Sequence, residues 1–77
     1  MYAHTLTPIE EACGVTLEDV ARELSRGLFR TIDGIELFIV PDVGPALAGS
    51  VARAAFAGAP VKFSHMTPAG PAYVREN

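Results

Sequence analysis

The sequence predicts an α+β domain that has a small antiparallel or mixed sheet of three or four strands, with helices on one face. Two apolar stretches flank an Asp-Gly pair, a capped helical pattern precedes them, and a nearly uncharged stretch of small residues follows them. Strands and helices that do not alternate regularly are typical of the α+β class. The chain of 77 residues suffices for one domain and is too short for two, so residues 1–77 are expected to share one core.

The first predicted elements are a short strand and a helix of about two turns. Larger and smaller side chains alternate over residues 2–6, which favours a strand. The helix begins at Thr7, whose hydroxyl can cap a free amide, and Glu10 stands at the capping-box position. Gly14 is expected to end this helix.

A second helix is predicted from Thr16, as the cap, to Gly27, as the stop. Its apolar side chains form one stripe: Leu17, Val20, Ala21 and Leu24. Its charged side chains are expected on the other side: Glu18, Arg22, Glu23 and Arg26. The pattern is that of an amphipathic helix on the surface of the domain.

A β-hairpin is predicted around Asp33-Gly34, because both residues tolerate the positive φ angles of a type I′ turn. The strands cover residues 28–32 and 35–40, and the turn places Phe29 opposite Phe38. Both faces of this ribbon carry large apolar side chains. One face can cover the core, and the other needs a cover of its own.

A third helix and a further strand are predicted in the remainder of the chain. Asp42 is expected to cap the helix, which runs to about residue 57 and has Arg53 as its sole charge. Because it is apolar almost all round, it should be buried on more than one side. Alternation over residues 61–66 favours a strand, and the proline and glycine residues in 67–77 indicate an irregular tail. The predicted order is β-α-α-β-β-α-β.

No residue pattern supports catalysis, a metal site or a cofactor site. Cys13 is the sole cysteine, and His4 and His65 are too scattered for a metal site or a nucleophile–base pair that a sequence would reveal. Neighbouring carboxylates in the first helical turns point about 100° apart, and the helix dipole explains their position. We therefore expect a protein that is not an enzyme and holds neither a metal nor a cofactor.

The sequence also bears on location. No apolar stretch is long enough to cross a bilayer, and residues 1–7 lack the basic start and apolar run of a secretion signal. A single cysteine fits a reducing compartment. We expect a cytoplasmic chain, complete from Met1, that has no membrane partner.

The chain carries an excess of apolar residues for its length. Hydrophobic residues make up 49% and charged residues 19%, whereas globular proteins average about 25% charged residues. Such an excess predicts an association surface and a homodimer. The predicted anchors of the contact are Phe29, Phe38 and Val40. The predicted polar rim consists of Arg22, Arg26, Glu23 and Glu36.

Small size, a net charge of −3, the lack of catalytic groups and the apolar excess extend over the whole chain. In these properties it resembles the short regulators and inhibitors encoded by phages and mobile elements, anti-CRISPR proteins among them. The resemblance implies a non-catalytic protein that binds and occludes a surface of a larger partner protein.

Two alternatives remain open. The segment Thr16–Leu24 resembles the first helix of helix-turn-helix regulators of the excisionase and MerR type, and the hairpin would serve as a wing. Arg22, Arg26 and Arg30 would then contact DNA. Those families continue with a recognition helix, whereas Gly27 leads into a predicted strand here. The other alternative is an accessory subunit of a larger enzyme.

Overall fold

The computed structural model of the protein describes residues 5–76. These residues form three helices and a four-stranded antiparallel sheet, which confirms the predicted α+β class. The elements in chain order are α1 (Pro8–Ala12), α2 (Leu17–Arg26), β1 (Leu28–Ile32), β2 (Ile35–Ile39), α3 (Pro45–Ala55), β3 (Val61–Thr67) and β4 (Gly70–Arg75). The strand predicted over residues 2–6 lies mostly outside the described residues, and the described Thr5 and Leu6 are not in a strand.

Hydroxyl caps begin the first two helices, as predicted. The Glu10 amide donates to Thr7 Oγ1 at 3.3 Å, and the Thr7 amide donates to Glu10 Oε1 at 2.8 Å, which completes the capping box of α1. The Asp19 amide donates to Thr16 Oγ1 at 3.1 Å at the start of α2.

The hairpin of β1 and β2 has the predicted turn and register. Asp33 and Gly34 have φ angles of 54° and 78°, so both central residues of the turn are left-handed, as type I′ requires. Phe29 lies opposite Phe38, and Ile32 lies opposite Ile35.

Helix α3 begins later than predicted. Its N-cap is Gly44, with φ 96°, and no side chain caps the helix. The prediction that Asp42 is the cap is therefore wrong. The prediction that α3 is buried on more than one side is confirmed, because α3 contacts α1 and α2 as well as β2, β3 and β4.

The prediction of an irregular tail over residues 67–77 is wrong, because Gly70–Arg75 forms the strand β4. This strand lies inside the sheet, whose order is β1-β2-β4-β3 with every pair antiparallel. Proline lacks an amide hydrogen, and this counts against a central strand. Pro71 is accommodated because it lies just past the end of β2, where its carbonyl accepts a hydrogen bond from the Val40 amide (2.9 Å), and the register of β4 with β2 begins at the next residue, Ala72.

The core lies between the helices and one face of the sheet. Phe38, Val40 and Tyr73 contribute from the sheet, and Val51 and Phe56 contribute from α3 and its C-cap. On this face a row of aromatic residues crosses all four strands, since Phe38 pairs with both Phe29 and Tyr73, and Tyr73 pairs with Phe63. Helices therefore cover one face of the sheet, as predicted. The described residues contain no helix that is long and apolar enough to cross a membrane.

Helix α2 is rotated relative to the prediction. Leu17, assigned to the inward stripe, is 52% exposed. Glu23, assigned to the polar side, is 3% exposed, and its carboxylate accepts hydrogen bonds from Arg22 and Arg26. The two arginines satisfy the carboxylate that the packing of α2 buries.

Candidate binding surface

The second face of the sheet has no helix against it in the described part of the chain. Side chains alternate between the two faces of a strand. In each strand, the residues next to those that pack on the helices therefore lie on this second face. We call this surface the open face; its residues are Leu28, Arg30, Ile32, Ile35, Leu37, Ile39, Lys62, His65, Ala72 and Val74.

The open face is concave. Two adjoining depressions of about 450 and 410 Å³ lie on it, and Ile32, Leu37 and His65 line both. The floor is apolar and buried where Leu37 and Ile39 lie, whereas Ile32 and Ile35 stand exposed at the end of the hairpin. Contiguous exposed apolar surface of this kind marks association sites.

The charges around the depressions are mainly positive. Their lining includes Arg30 and Lys62, and Asp33 is the one carboxylate among the lining residues. Arg75 also borders one depression, but its guanidinium carbon lies 5.9 Å from the centroid of the Phe56 ring, on the helix-covered side. Neither Arg30 nor Lys62 forms an ion pair with another residue of the described range 5–76. The chain as a whole carries a net charge of −3, so the charge of this face is opposite in sign to the net charge of the molecule.

The helical layer, by contrast, neutralises its own arginines. Arg22 Nη2 lies 2.8 Å from Asp19 Oδ1, and Arg26 Nη1 lies 3.0 Å from Glu23 Oε1. The guanidinium of Arg22 lowers the pKa of Asp19 by hydrogen bonding and by its charge. Two of the three arginines of the predicted DNA contact, Arg22 and Arg26, are thus engaged with carboxylates of their own helix, whereas the third, Arg30, lies on β1.

The structure corrects part of the predicted contact set. Phe38 is 2% exposed and Val40 is fully buried, because both belong to the face that the helices cover. Glu23 is also buried, as described above, so these three side chains offer no surface to a partner. The remaining predicted residues are accessible: Phe29, Arg22, Arg26 and Glu36.

Phe29 lies at the end of the aromatic row, on the helix side of the edge strand. Its ring contacts those of Phe38 and Phe56, with centroid separations of 4.9 and 5.5 Å, and the residue is 47% exposed. It is therefore half inside the core and half available at the edge of the sheet. Neither Arg22 nor Arg26 lies on the open face, since both belong to α2.

Sequence reasoning missed the open face as the candidate surface. It identified both faces of the hairpin as apolar but placed the anchors on the face that carries Phe38. The choice between the faces depends on how the hairpin meets α3 and β4, and local periodicity does not contain that information. Lys62 was the available signal, because it marks the uncovered side of β3.

One pair of side chains resembles part of a catalytic arrangement. Ser64 Oγ lies 2.9 Å from His65 Nδ1, at the bulge between Phe63 and His65 in β3. Within residues 5–76 no hydrogen bond to a carboxylate orients this imidazole, and a nucleophile–base pair depends on such a third group. No group of three or more histidine, cysteine, aspartate or glutamate side chains among the described residues is placed to hold a metal ion.

A smaller apolar cavity of about 290 Å³ lies on the helix side, between the first turn of α3 and the β3–β4 hairpin. Phe63 and Met66 are exposed beside it, and Tyr73 forms part of its wall. Burial raises the pKa of the Tyr73 hydroxyl above its usual value. The cavity contains no charged side chain except Asp42.

No protein-family model, curated protein or solved structure matches the chain, so the functional argument rests on its own residues.

Proposed function

We propose that the protein is a non-catalytic regulator or inhibitor that binds a larger protein through its open face and occludes the surface it covers. The observation that carries the proposal is an uncovered, concave, apolar sheet face whose lining cations have no anionic partner within residues 5–76. A matching surface on the partner presents apolar side chains together with carboxylates. Size and composition support the phage- or mobile-element type of regulator, as the resemblance implies.

The energetics favour association at this face. Ile32 and Ile35 are 46% and 57% exposed, so burying the rest of each side chain contributes about half of the 1.5–3 kcal/mol that complete burial gives. The neighbouring buried Leu37 and Ile39 add a rigid apolar floor that needs no ordering on binding. The cations steer an acidic partner and select against a basic one.

A protein partner fits this face better than a nucleic acid does. Single-stranded nucleic acids bind on sheets through aromatic side chains on which the bases stack. The aromatic row of this sheet lies on the opposite, helix-covered face, and the apolar residues of the open face are aliphatic. The net charge of −3 also opposes binding to phosphate.

The helix-turn-helix alternative stays a prediction. It would use Arg22 and Arg26 of α2, whose guanidinium groups are bonded to Asp19 and Glu23. Helix α2 is followed directly by β1 rather than by a second helix. The accessory-subunit alternative shares the proposed binding surface and differs in the identity of the partner.

The expected homodimer also stays a prediction. Two copies stacked through their open faces would bring the cations Arg30 and Lys62 of one against those of the other, with Asp33 as the one carboxylate lining each face. Like charges brought together in this way disfavour the assembly. We place the proposed function in the cytoplasm, because the lone Cys13 is free and exposed and suits a reducing compartment.

The experiment compares Ile35→Asp with Leu17→Asp. Both residues are more than half exposed, at 57% and 52%, but Ile35 lies on the open face and Leu17 lies in the first turn of α2. Both variants are expected to fold, because exposed positions tolerate charge and an aspartate suits the start of a helix. Each is immobilised and used to capture proteins from an extract of the native host cell.

We expect one host protein to bind the wild type and Leu17→Asp and to lose at least about tenfold in affinity for Ile35→Asp, since a buried unpaired charge is costly. Purification of that protein allows its activity to be measured with and without the regulator. Equal capture by both variants, or retention of nucleic acid alone, would contradict the proposal.

A further inference from the structure

Strand β1 is an edge of the sheet, and all five of its residues are exposed. It contains no proline, and its pairing with β2 is continuous from Leu28 to Ile32. The opposite edge, β3, is interrupted by a bulge between Phe63 and His65. Bulges are a common protection of sheet edges against further pairing. One edge of this sheet is therefore protected and the other is available.

The turn geometry shows which backbone groups of β1 are free. In a two-residue hairpin the residues that flank the turn, Ile32 and Ile35, exchange both hydrogen bonds, and bonded and non-bonded pairs alternate from there. Phe29 and Thr31 belong to non-bonded pairs, so their N–H and C=O groups point away from β2. The bond from the Val40 amide to the Pro71 carbonyl (2.9 Å) agrees with this alternation, because it directs alternate residues of the second strand toward β4.

The side chains of β1 define what can lie beside it. Leu28, Arg30 and Ile32 face the open side, and the guanidinium of Arg30 forms no ion pair with the described residues 5–76. In an antiparallel addition the residue opposite Arg30 belongs to a non-bonded pair, in which the Cα atoms approach most closely. Opposite charges at such a position stabilise the pair and like charges destabilise it.

We propose that the protein binds its partner by strand addition: an extended partner segment lies antiparallel to β1 as a fifth strand. Its side chains on the open face are apolar opposite Leu28, acidic opposite Arg30 and apolar opposite Ile32. Its backbone bonds to the free groups of Phe29 and Thr31. The inference rests on the proposed function and specifies how the open face recognises an acidic, apolar partner.

The charge of Arg30 decides between this occupant and a second copy of the chain. An antiparallel self-pairing that engages all the free groups of Phe29 and Thr31 places Phe29 opposite Thr31 of the other copy. That register sets Arg30 against Arg30 at the closest point of approach. A segment that carries a carboxylate there has the same backbone bonds without this repulsion.

The test uses the blocked peptide acetyl-TITETIT-amide, whose isoleucines and glutamate match the proposed side-chain order. The control peptide, acetyl-TITKTIT-amide, has lysine in place of the glutamate. Binding to the full chain is followed by the NMR shifts and hydrogen exchange of the backbone amides. We expect the glutamate peptide to bind wild type about fivefold more tightly than the lysine peptide, and Arg30→Glu to reverse that preference. The amides of Phe29 and Thr31 should become protected.

Thr31→Pro, with Thr31→Val as its control, tests the backbone bonds. Proline removes the outward amide hydrogen without removing a bond to β2, and edge strands tolerate it. We expect Thr31→Pro to abolish peptide binding and Thr31→Val to retain it. If Thr31→Pro does not fold, N-methylation of the two threonines that flank the glutamate should abolish binding, whereas N-methylation of the glutamate should not.

Equal binding of both peptides, absence of binding, or insensitivity to Thr31→Pro would overturn strand addition. A wild-type dimer that Thr31→Pro dissociates would assign the edge to a second copy and would also overturn it. The proposed function fails separately: it is contradicted when Ile35→Asp captures the same host protein as Leu17→Asp, whatever the peptides do.

Discussion

Gly70 lies where β4 passes the end of β2. Its φ angle is 133°, a value that residues with a side chain rarely adopt, and a Cβ atom there would overlap the carbonyl oxygen of Val40. The backbones approach so closely because β4 enters the sheet at this point. Gly49, in the middle of α3, has open space where its Cβ would be.

The substitutions Gly70→Ala and Gly49→Ala are therefore expected to have opposite effects on stability. Gly70→Ala should lower the free energy of unfolding by about 2–4 kcal/mol, since strain and the backbone overlap add. Gly49→Ala should raise it by about 0.5–1 kcal/mol, because alanine is the better helix former. Urea unfolding followed by circular dichroism measures both. If Gly70→Ala left the free energy of unfolding unchanged, β4 would not pass Val40 as described.

For Phe38 and Phe29, the predicted cross-strand register is correct, but it did not determine whether each residue lies in the core or on a binding surface. Their cross-strand pairing could be predicted from the Asp33-Gly34 turn, which determines the alignment locally. Which face of the hairpin is covered depends on α3 and β4, which are distant in sequence. Phe38 therefore became a core residue rather than an anchor, and Leu37 lies on the open face instead.

Helices α1 and α3 are joined by a partly buried ionic contact. Arg53 Nη2 lies 2.8 Å from Glu10 Oε1, and the same guanidinium donates to the Thr5 carbonyl at 2.7 Å. Burial by itself raises the pKa of Glu10, but hydrogen bonds from the Thr7 amide, Arg53 and Ser50 together hold it below its usual value of 4.5. The network attaches the short first helix to the core.

The lowered pKa of Glu10 predicts a pH dependence of stability. A carboxyl group whose pKa is lower in the folded state contributes stability above its unfolded pKa, and this contribution is lost as the pH falls through the folded value. Glu10→Gln should cost about 1–3 kcal/mol at pH 7. The difference from wild type should shrink below about pH 4.5. Urea unfolding across this pH range measures it; a constant difference would contradict the role of the charge.

The elements that could be predicted have strong local signals, and the one that was missed does not. Hydroxyl caps identified α1 and α2, and the Asp33-Gly34 turn identified the hairpin. Strand β4 contains Gly70 and Pro71, which locally indicate a loop. Its strand conformation depends on pairing with β2 and β3 on its two sides. Pairing between segments that are distant in sequence does not produce a periodic pattern of residues within six positions.

The helices carry more carboxylates than cations. Five of the nine carboxylates of the molecule lie on α1 and α2, namely Glu10, Glu11, Glu18, Asp19 and Glu23, whereas three of its six cations, Arg22, Arg26 and Arg53, lie on α2 and α3. The cations that line the depressions of the open face lie in the sheet, where Asp33 is the one lining carboxylate. If the partner is acidic, as we propose, this distribution would favour its approach to the open face over the helices.

Part of the apolar excess that the composition revealed lies on the open face, where Leu28, Ile32 and Ile35 are exposed. The other large apolar residues exposed within residues 5–76 lie elsewhere: Ile9, Leu17, Phe29, Phe63 and Met66. Helices α1, α2 and α3 lie on the other face of the sheet, and within residues 5–76 no element covers the open one. An association surface could be expected from the number of apolar residues. Its position could not, because it follows from the assembled order β1-β2-β4-β3.

Hydrogen exchange of the chain, free and in complex with the captured host protein, tests the position of this surface most directly. The account predicts slower exchange in residues 28–39 on binding, strongest at the outward amides of Phe29 and Thr31, with no change in residues 17–26. Protection of residues 17–26 with an unchanged hairpin would contradict it, because the partner would then bind the helical layer.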